Sequence, residues 1–182
     1  MKFNSWFDKG MTFEEYRNNM QVNQSELSHV YDQLIFTEDD ITEFEKLEER
    51  KWRGLVLTAD WCGDAALCVP ILQRIAELGK IELRFLIRDN NLELMDQYLT
   101  NGTSRSIPIF IFIDQNDQEK MVWGPRSPLV QDFITSLRDE LPLSDSPDFQ
   151  EKQMNMFRQF KERIVSDPTI WRSVMDSVKS KL

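Results

Sequence analysis

The residues with the clearest capacity for chemistry are Trp61-Cys62-Gly63-Asp64-Ala65. Cys62 follows the apolar run Leu55-Val56-Leu57 and opens an apolar-periodic stretch, so it stands where a strand turns into a helix. A thiol at a helix N-terminus lies near unpaired backbone N–H groups and the positive end of the helix dipole, which favours its thiolate. A thiolate in that position is suited to exchange with disulfides. A second thiol three residues on would sit one helical turn away and could resolve the mixed disulfide within the chain, but that position is Ala65. Asp64 adds a negative charge beside the thiol and opposes its ionisation. The chain thus holds a nucleophile without an intramolecular resolving partner.

Cys68 does not replace that partner. Six residues along one helix separate the two cysteines by about 9 Å of axial rise and about 240° of rotation. A disulfide needs Cα atoms closer than about 7 Å. Cys68 therefore reads as a small buried apolar residue. The single histidine, His29, lies in a segment without clear pattern, and with these two cysteines it forms no metal-ligand spacing and no hydrolase triad. Acidic clusters such as Glu45, Glu48 and Glu49 read as solvated helix faces, and no glycine-rich phosphate loop is present. Neither a metal nor a cofactor is called for.

These residues sit in a chain of 182, of which 41% are hydrophobic and 29% charged, ordinary values for a globular domain with a full core. The net charge of −9 argues against general nucleic-acid binding, which needs a basic face. The first residues lack a signal-type apolar run, and no later stretch is long enough to span a bilayer, so no membrane partner is expected and the protein reads as cytoplasmic. Its two cysteines are expected to be reduced.

Around the thiol, Thr12-Phe13-Glu14-Glu15 predicts a capping box and a helix carrying Phe13, Tyr16 and Met20. Trp6, Phe7, Phe13 and Tyr16 are expected to pack together. Residues 21–36 read as loop with a short helical piece over 27–34. Thr37 followed by Glu38, Asp39 and Asp40 starts another helix. A strand is expected over 55–59, then a helix from Cys62 that contains Pro70 and ends near Gly79. Residues 81–87 read as a strand and 91–99 as a short helix. Ile107-Pro108-Ile109-Phe110-Ile111-Phe112-Ile113 reads as a strand buried on both faces, with its proline at the start. Residues 119–123 pair back as a hairpin, and a helix follows through Leu129, Phe133, Ile134 and Leu137. Beyond the break at Pro142–Pro147, an amphipathic helix is expected to bury Phe157, Phe160 and Ile164. Asp167-Pro168 then opens a last helix with Trp171 and Val174 inward.

The residues over 38–140 resemble the thioredoxin family in order and register. Trp61-Cys62-Gly63 is similar to that family's Trp-Cys-Gly, and Pro70 stands where its helix carries a proline. Arg105-Ser106-Ile107-Pro108 resembles the segment ending in a cis proline that packs on the cysteine, and Trp123-Gly124 is similar to the later glycine near the site. The resemblance implies an α/β thioredoxin-like fold, with a mixed central sheet flanked by helices and additional helices at both ends. Residues 1–36 would be an N-terminal helical extension, 37–141 the core, and 142–182 a C-terminal helical extension packed on it. It also implies Cys62 as the reacting group, with Trp61, Gly63, Asp64, Ala65, Ile107 and Pro108 around it and substrate backbone beside Ile107. Val56 stands where the family buries a proton-accepting Asp. The expectation is single-cysteine thiol–disulfide exchange in redox homeostasis, with protein thiols or disulfides or a low-molecular-weight thiol as partners. The alternative is a non-catalytic protein-binding module on the same fold.

Overall fold

The computed structural model describes residues 3–182. Its centre is a four-stranded sheet of β1 (Arg53–Thr58), β2 (Glu82–Ile87), β3 (Ile109–Ile113) and β4 (Glu119–Trp123), in the order β2-β1-β3-β4. β1 runs parallel to β2 and antiparallel to β3, and β4 returns antiparallel to β3. The two inner strands, Leu55-Val56-Leu57 and Ile109–Ile113, are apolar at consecutive positions because both faces are covered. Val56 lies between Phe85 and Phe110 in register. The mixed sheet with flanking helices is the expected thioredoxin-like architecture.

Nine α-helices surround the sheet among the described residues. The first four are α1 (Asn4–Lys9), α2 (Phe13–Asn19), α3 (Gln24–Gln33) and α4 (Glu38–Glu45). α5 (Gly63–Leu78) makes the parallel crossover from β1 to β2, running through Pro70. α6 (Leu92–Met95), α7 (Pro128–Asp139), α8 (Phe149–Ser166) and α9 (Pro168–Lys179) follow. Thr12 and Thr37 each close a full capping box, with Glu15 and Asp40 respectively. Asp167 caps α9, with Pro168 in its first turn.

Three local expectations are corrected. α3 is a complete helix rather than a loop with a short helical piece, because Leu27 and Val30 bury against α5. The helix over 91–99 shrinks to one turn, Leu92–Met95, followed by tight turns to Tyr98. In α8 the inward stripe is Met156, Phe160 and Ile164, while Phe157 remains 54% exposed. Met156 and Phe157 both lie near the Phe160 face on a 100° wheel, and the neighbouring helices determine which one is covered.

A buried charge cluster straps the C-terminus down. Asp40 is excluded from solvent. Its Oδ1 accepts from Lys179 Nζ at 2.6 Å, and its Oδ2 accepts from Arg172 Nη1 at 2.6 Å and from the Thr37 amide at 2.9 Å. One carboxylate therefore caps α4 and anchors α9, which itself packs on α5 and α7. These partners outweigh burial and hold the Asp40 carboxyl well below the usual carboxylate range. A depressed folded pKa means the stabilisation is complete above the unfolded pKa of about 3.9 and is lost as pH falls below it. Asp40→Asn should cost about 3 kcal/mol, the low end for breaking a buried pair because Arg172 is partly solvated. Thermal melts from pH 3 to 7 check this: wild type should begin to lose its advantage over the variant below about pH 4, and coincident melts at pH 7 would remove the strap's role.

Candidate functional site

Three chain segments converge where the carboxyl ends of β1 and β4 meet the amino end of β3. The first is the turn leaving β1. Asp60 holds it, accepting through Oδ2 from the Gln21 and Val22 amides at 2.8 and 3.3 Å, while Asn23 Nδ2 donates to the Asp60 carbonyl at 2.8 Å. The linker between α2 and α3 thereby clamps the turn that presents Trp61 and Cys62. Cys62 is the N-cap of α5, with its carbonyl accepting from the Ala66 amide at 3.1 Å. The expected helix from Cys62 thus begins one residue later, at Gly63.

The second segment carries Ile107 and Pro108. The Ile107–Pro108 peptide is cis. The Cys62 thiol donates to the Ile107 carbonyl at 3.4 Å. Arg88 Nη1 donates to the Arg105 carbonyl at 3.2 Å, and its guanidinium lies 4.7 Å from the centre of the Trp61 ring. Trp61 is 51% exposed and forms the apolar rim of the site.

The third segment leaves β4. Gly124–Pro125 is a second cis peptide, and Gly124 adopts φ 127°. A Cβ there would lie 2.2 Å from the Pro108 carbonyl oxygen, so only glycine fits. Arg126 then turns inward, and its Nη2 meets Asp64 Oδ2 at 2.5 Å. The Pro125 carbonyl faces Cys68 Sγ at 3.7 Å.

All the site residues read from the sequence meet here: Trp61, Cys62, Gly63, Asp64, Ala65, Ile107 and Pro108 form one cluster around the α5 N-terminus. Gly63 is pressed by α8, since a Cβ on it would meet the Phe160 ring at 3.1 Å. Phe133 of α7 stacks on Phe160 at 6.0 Å, so the C-terminal extension covers one side of the site. Ala65 and Cys68 are buried, and both cysteines are free. His29 packs edge-on to Trp171, and no group of metal-holding residues occurs among the described residues.

The electrostatics reverse one sequence expectation. Cys62 is only 9% exposed, and its thiol is pushed up to about 11. Burial is the main cause and the Asp64 charge the second; the backbone N–H groups of Ala65 and Asp64, and then Arg126, pull the other way. The helix N-terminus does favour the thiolate, but loss of solvent outweighs it. Burial likewise raises Asp64, against Arg126, and drives Cys68 well above the usual thiol range.

Two participants were not singled out from the sequence. Arg126 carried no motif; its only signal was its place just after Trp123-Gly124. Tyr16 was read as packing alone, yet its hydroxyl lies 3.0 Å from Thr58 Oγ1, forming a buried polar pair close enough to feel the Cys62 charge. Val56 is fully buried between aromatic rings and supplies no proton acceptor.

A family model described as thioredoxin matches residues 10–138. The chain belongs to the thioredoxin family. A Staphylococcus epidermidis protein named a GTP cyclohydrolase 1 type 2 homolog is 27% identical over 94 residues. That match takes in 52% of this chain, which spans only 24% of that curated relative's length. Among solved structures, a Pseudomonas aeruginosa protein of unknown function superposes with a TM-score of 0.65 at 17% identity, covering 100% of this chain and 99% of that one. An HIV epitope scaffold superposes with a TM-score of 0.63 at 17% identity, over 99% of both chains. At this identity the two structures show the shared fold, including the helices outside the family match. Among the described residues, no helix is long and apolar enough to cross a membrane.

In this family member, Gly124 is the position where the site tolerates no added atom. Gly124→Ala should destabilise the protein by roughly 3 kcal/mol, from overpacking against Pro108 and a backbone conformation alien to alanine. Denaturant unfolding followed by tryptophan fluorescence measures it, and a change below about 0.5 kcal/mol, the usual span of surface substitutions, would show that the two loops are not in contact.

Proposed function

We propose that this thioredoxin-family protein acts through Cys62 alone, forming one long-lived mixed disulfide with a protein thiol or a low-molecular-weight thiol, rather than turning over as a dithiol reductase. The observation that carries this reading is the position of the Cys62 sulfur. Cys62 is the N-cap residue of α5, and its sulfur lies by the amides of Asp64 and Ala65 and donates to the Ile107 carbonyl. In the reaction, the Cys62 thiol loses its proton and the thiolate attacks one sulfur of R–S–S–R′. A Cys62–S–S–R bond forms, the S–S bond breaks, and R′S⁻ leaves to take up a proton. Release requires a second thiol to attack the R sulfur and expel Cys62 as thiolate.

The raised pKa acts on both steps. At pH 7 a thiol with a pKa of about 11 is ionised in about one molecule in ten thousand. Its greater intrinsic nucleophilicity compensates in part, which leaves attack about twenty-fold slower than by an ordinary thiol. A high-pKa thiolate is also a poor leaving group, so the mixed disulfide is slow to reverse. Slow capture and slow release suit a protein that holds a partner or protects a thiol. They do not suit a rapid reductase.

A second reading, non-covalent binding on the same face, is favoured by one observation. Cys62 is nearly covered while Trp61 beside it is half-exposed, so an apolar segment could dock without reaching the sulfur.

The two readings separate by experiment. Wild-type protein should be near background in insulin disulfide reduction, and Ala65→Cys should gain partial activity because a resolving thiol is restored while Asp64 and Val56 remain. With oxidised glutathione at pH 8, wild type should slowly gain a single mass adduct that maps to Cys62, is absent in Cys62→Ser, and is released by added thiol more slowly than from an unstructured cysteine peptide. If no Cys62 adduct accumulates, the exchange reading fails and binding alone remains.

A further inference from the structure

Asp64 and Arg126 make an ion pair at the N-terminus of α5, two residues from Cys62. The side chains are only 9% and 16% exposed. The pair is not saturated: Asp64 Oδ1 and Arg126 Nε are both buried without a hydrogen-bond partner. Arg126 is fixed by the loop that carries the second cis peptide, and its Nη1 donates to Gln131 Oε1 at 3.0 Å.

The helix N-terminus and the Arg126 guanidinium are the two positive features near the Cys62 sulfur. Asp64, in the first turn of α5, pairs with Arg126, lies at the positive end of the helix and also feels the charge of Arg138 on α7. A Cys62 thiolate would need the first two. Two anions competing for one set of partners in a buried site repel each other, and the one with the lower intrinsic pKa takes the site. In the folded protein that is Asp64, and the sulfur keeps its proton.

We propose that the Asp64–Arg126 pair sets the reactivity of Cys62, with Arg126 a latent partner of the thiolate that Asp64 holds neutralised. Both act as positioning residues through their charge, and neither touches a substrate. The inference deepens the exchange reading, since it names what restrains the same thiol. It accounts for an acidic residue in the first turn beside a cysteine, a place where a charge of that sign suppresses the chemistry. It also gives Arg126 a role beyond bridging the α5 N-terminus to the loop before α7. Any partner that draws Asp64 away from Arg126 would raise the thiolate fraction of Cys62.

The test is iodoacetamide alkylation of Cys62, followed as the mass of the Cys62 peptide between pH 7 and 10. In this reaction the thiolate displaces iodide and forms a thioether. Asp64→Asn keeps the shape and a carbonyl for Arg126 but removes the charge. It should speed alkylation throughout that pH range, by roughly threefold to tenfold at pH 7.5, the range left after lower nucleophilicity offsets the larger thiolate fraction. Asp64→Ser carries the same expectation if the amide variant does not keep the native near-ultraviolet signal. The double variant Asp64→Asn/Arg126→Met should lose that gain, whereas Asp64→Asn/Arg126→Lys should retain part of it. An Asp64→Asn or Asp64→Ser profile that superposes on wild type would overturn the inference, as would a gain that persists in full without Arg126. Because alkylation needs no biological partner, this result is independent of the glutathione experiment: failure of that adduct with a faster Asp64→Asn thiol sinks exchange and leaves the charge pair standing.

Discussion

The contact between the Pro108 carbonyl and Gly124 leaves no room for another carbon, and the functional end of the molecule is organised around it. It brings the loop after β4 against the segment before β3, which already lies against the α5 N-terminus through the Cys62–Ile107 hydrogen bond. With these three segments together, Arg126 meets Asp64. A bulkier residue at 124 would separate the loops, and Arg126 would be carried away from Asp64. Steric constraint at a glycine thus becomes an electrostatic arrangement at a cysteine.

The helices outside the family match complete this arrangement from behind. α9 is drawn onto α4 by the buried Asp40 carboxylate with Arg172 and Lys179, and α8 is held to α9 by the Trp171 indole N–H donating to the Ile164 carbonyl at 2.5 Å. With α8 fixed, Phe160 lies on Gly63 and Phe133, and Lys161 pairs with Glu26 of α3 at 2.6 Å. The cover over Gly63 removes water from the first turn of α5. Desolvation is also the largest influence on Cys62, so the C-terminal extension bears on the chemistry without contributing a reacting group. Burial also raises Cys68, which has no cation partner, and Asp64, where loss of solvent outweighs the Arg126 pair.

Resting protonation of Cys62 changes what the fold can do. A helix N-terminus supplies some stabilisation to a thiolate, but a buried sulfur next to a carboxylate loses more than that. Absence of a second cysteine at position 65 then removes the rapid exit from a mixed disulfide. In the proposed exchange both features act in one direction, toward infrequent capture and slow release.

The sequence by itself determined the elements and the location of the site. The resemblance of Cys62, Pro70, Pro108 and Gly124 to the thioredoxin landmarks implied which turns approach one another; threonines followed three residues later by acids specified the starts of α2 and α4, and the unbroken apolar run over 109–113 specified an inner strand. These features are local or of fixed spacing, and backbone geometry translates them directly. Partnerships between distant side chains were decided only by the tertiary structure. Asp40 read as a first-turn acid that starts α4 and is also a buried anchor, because α9 covers it with two cations. Phe157 looked like part of the inward stripe and is exposed, because α3, α5 and α7 cover the Met156–Phe160 side of α8. Cys62 looked activated and is restrained, because desolvation depends on what stands above the helix end and not on the residues within it. Periodicity identifies a face; its dielectric and its charges come from whatever packs against it, and that is a property of the folded chain alone.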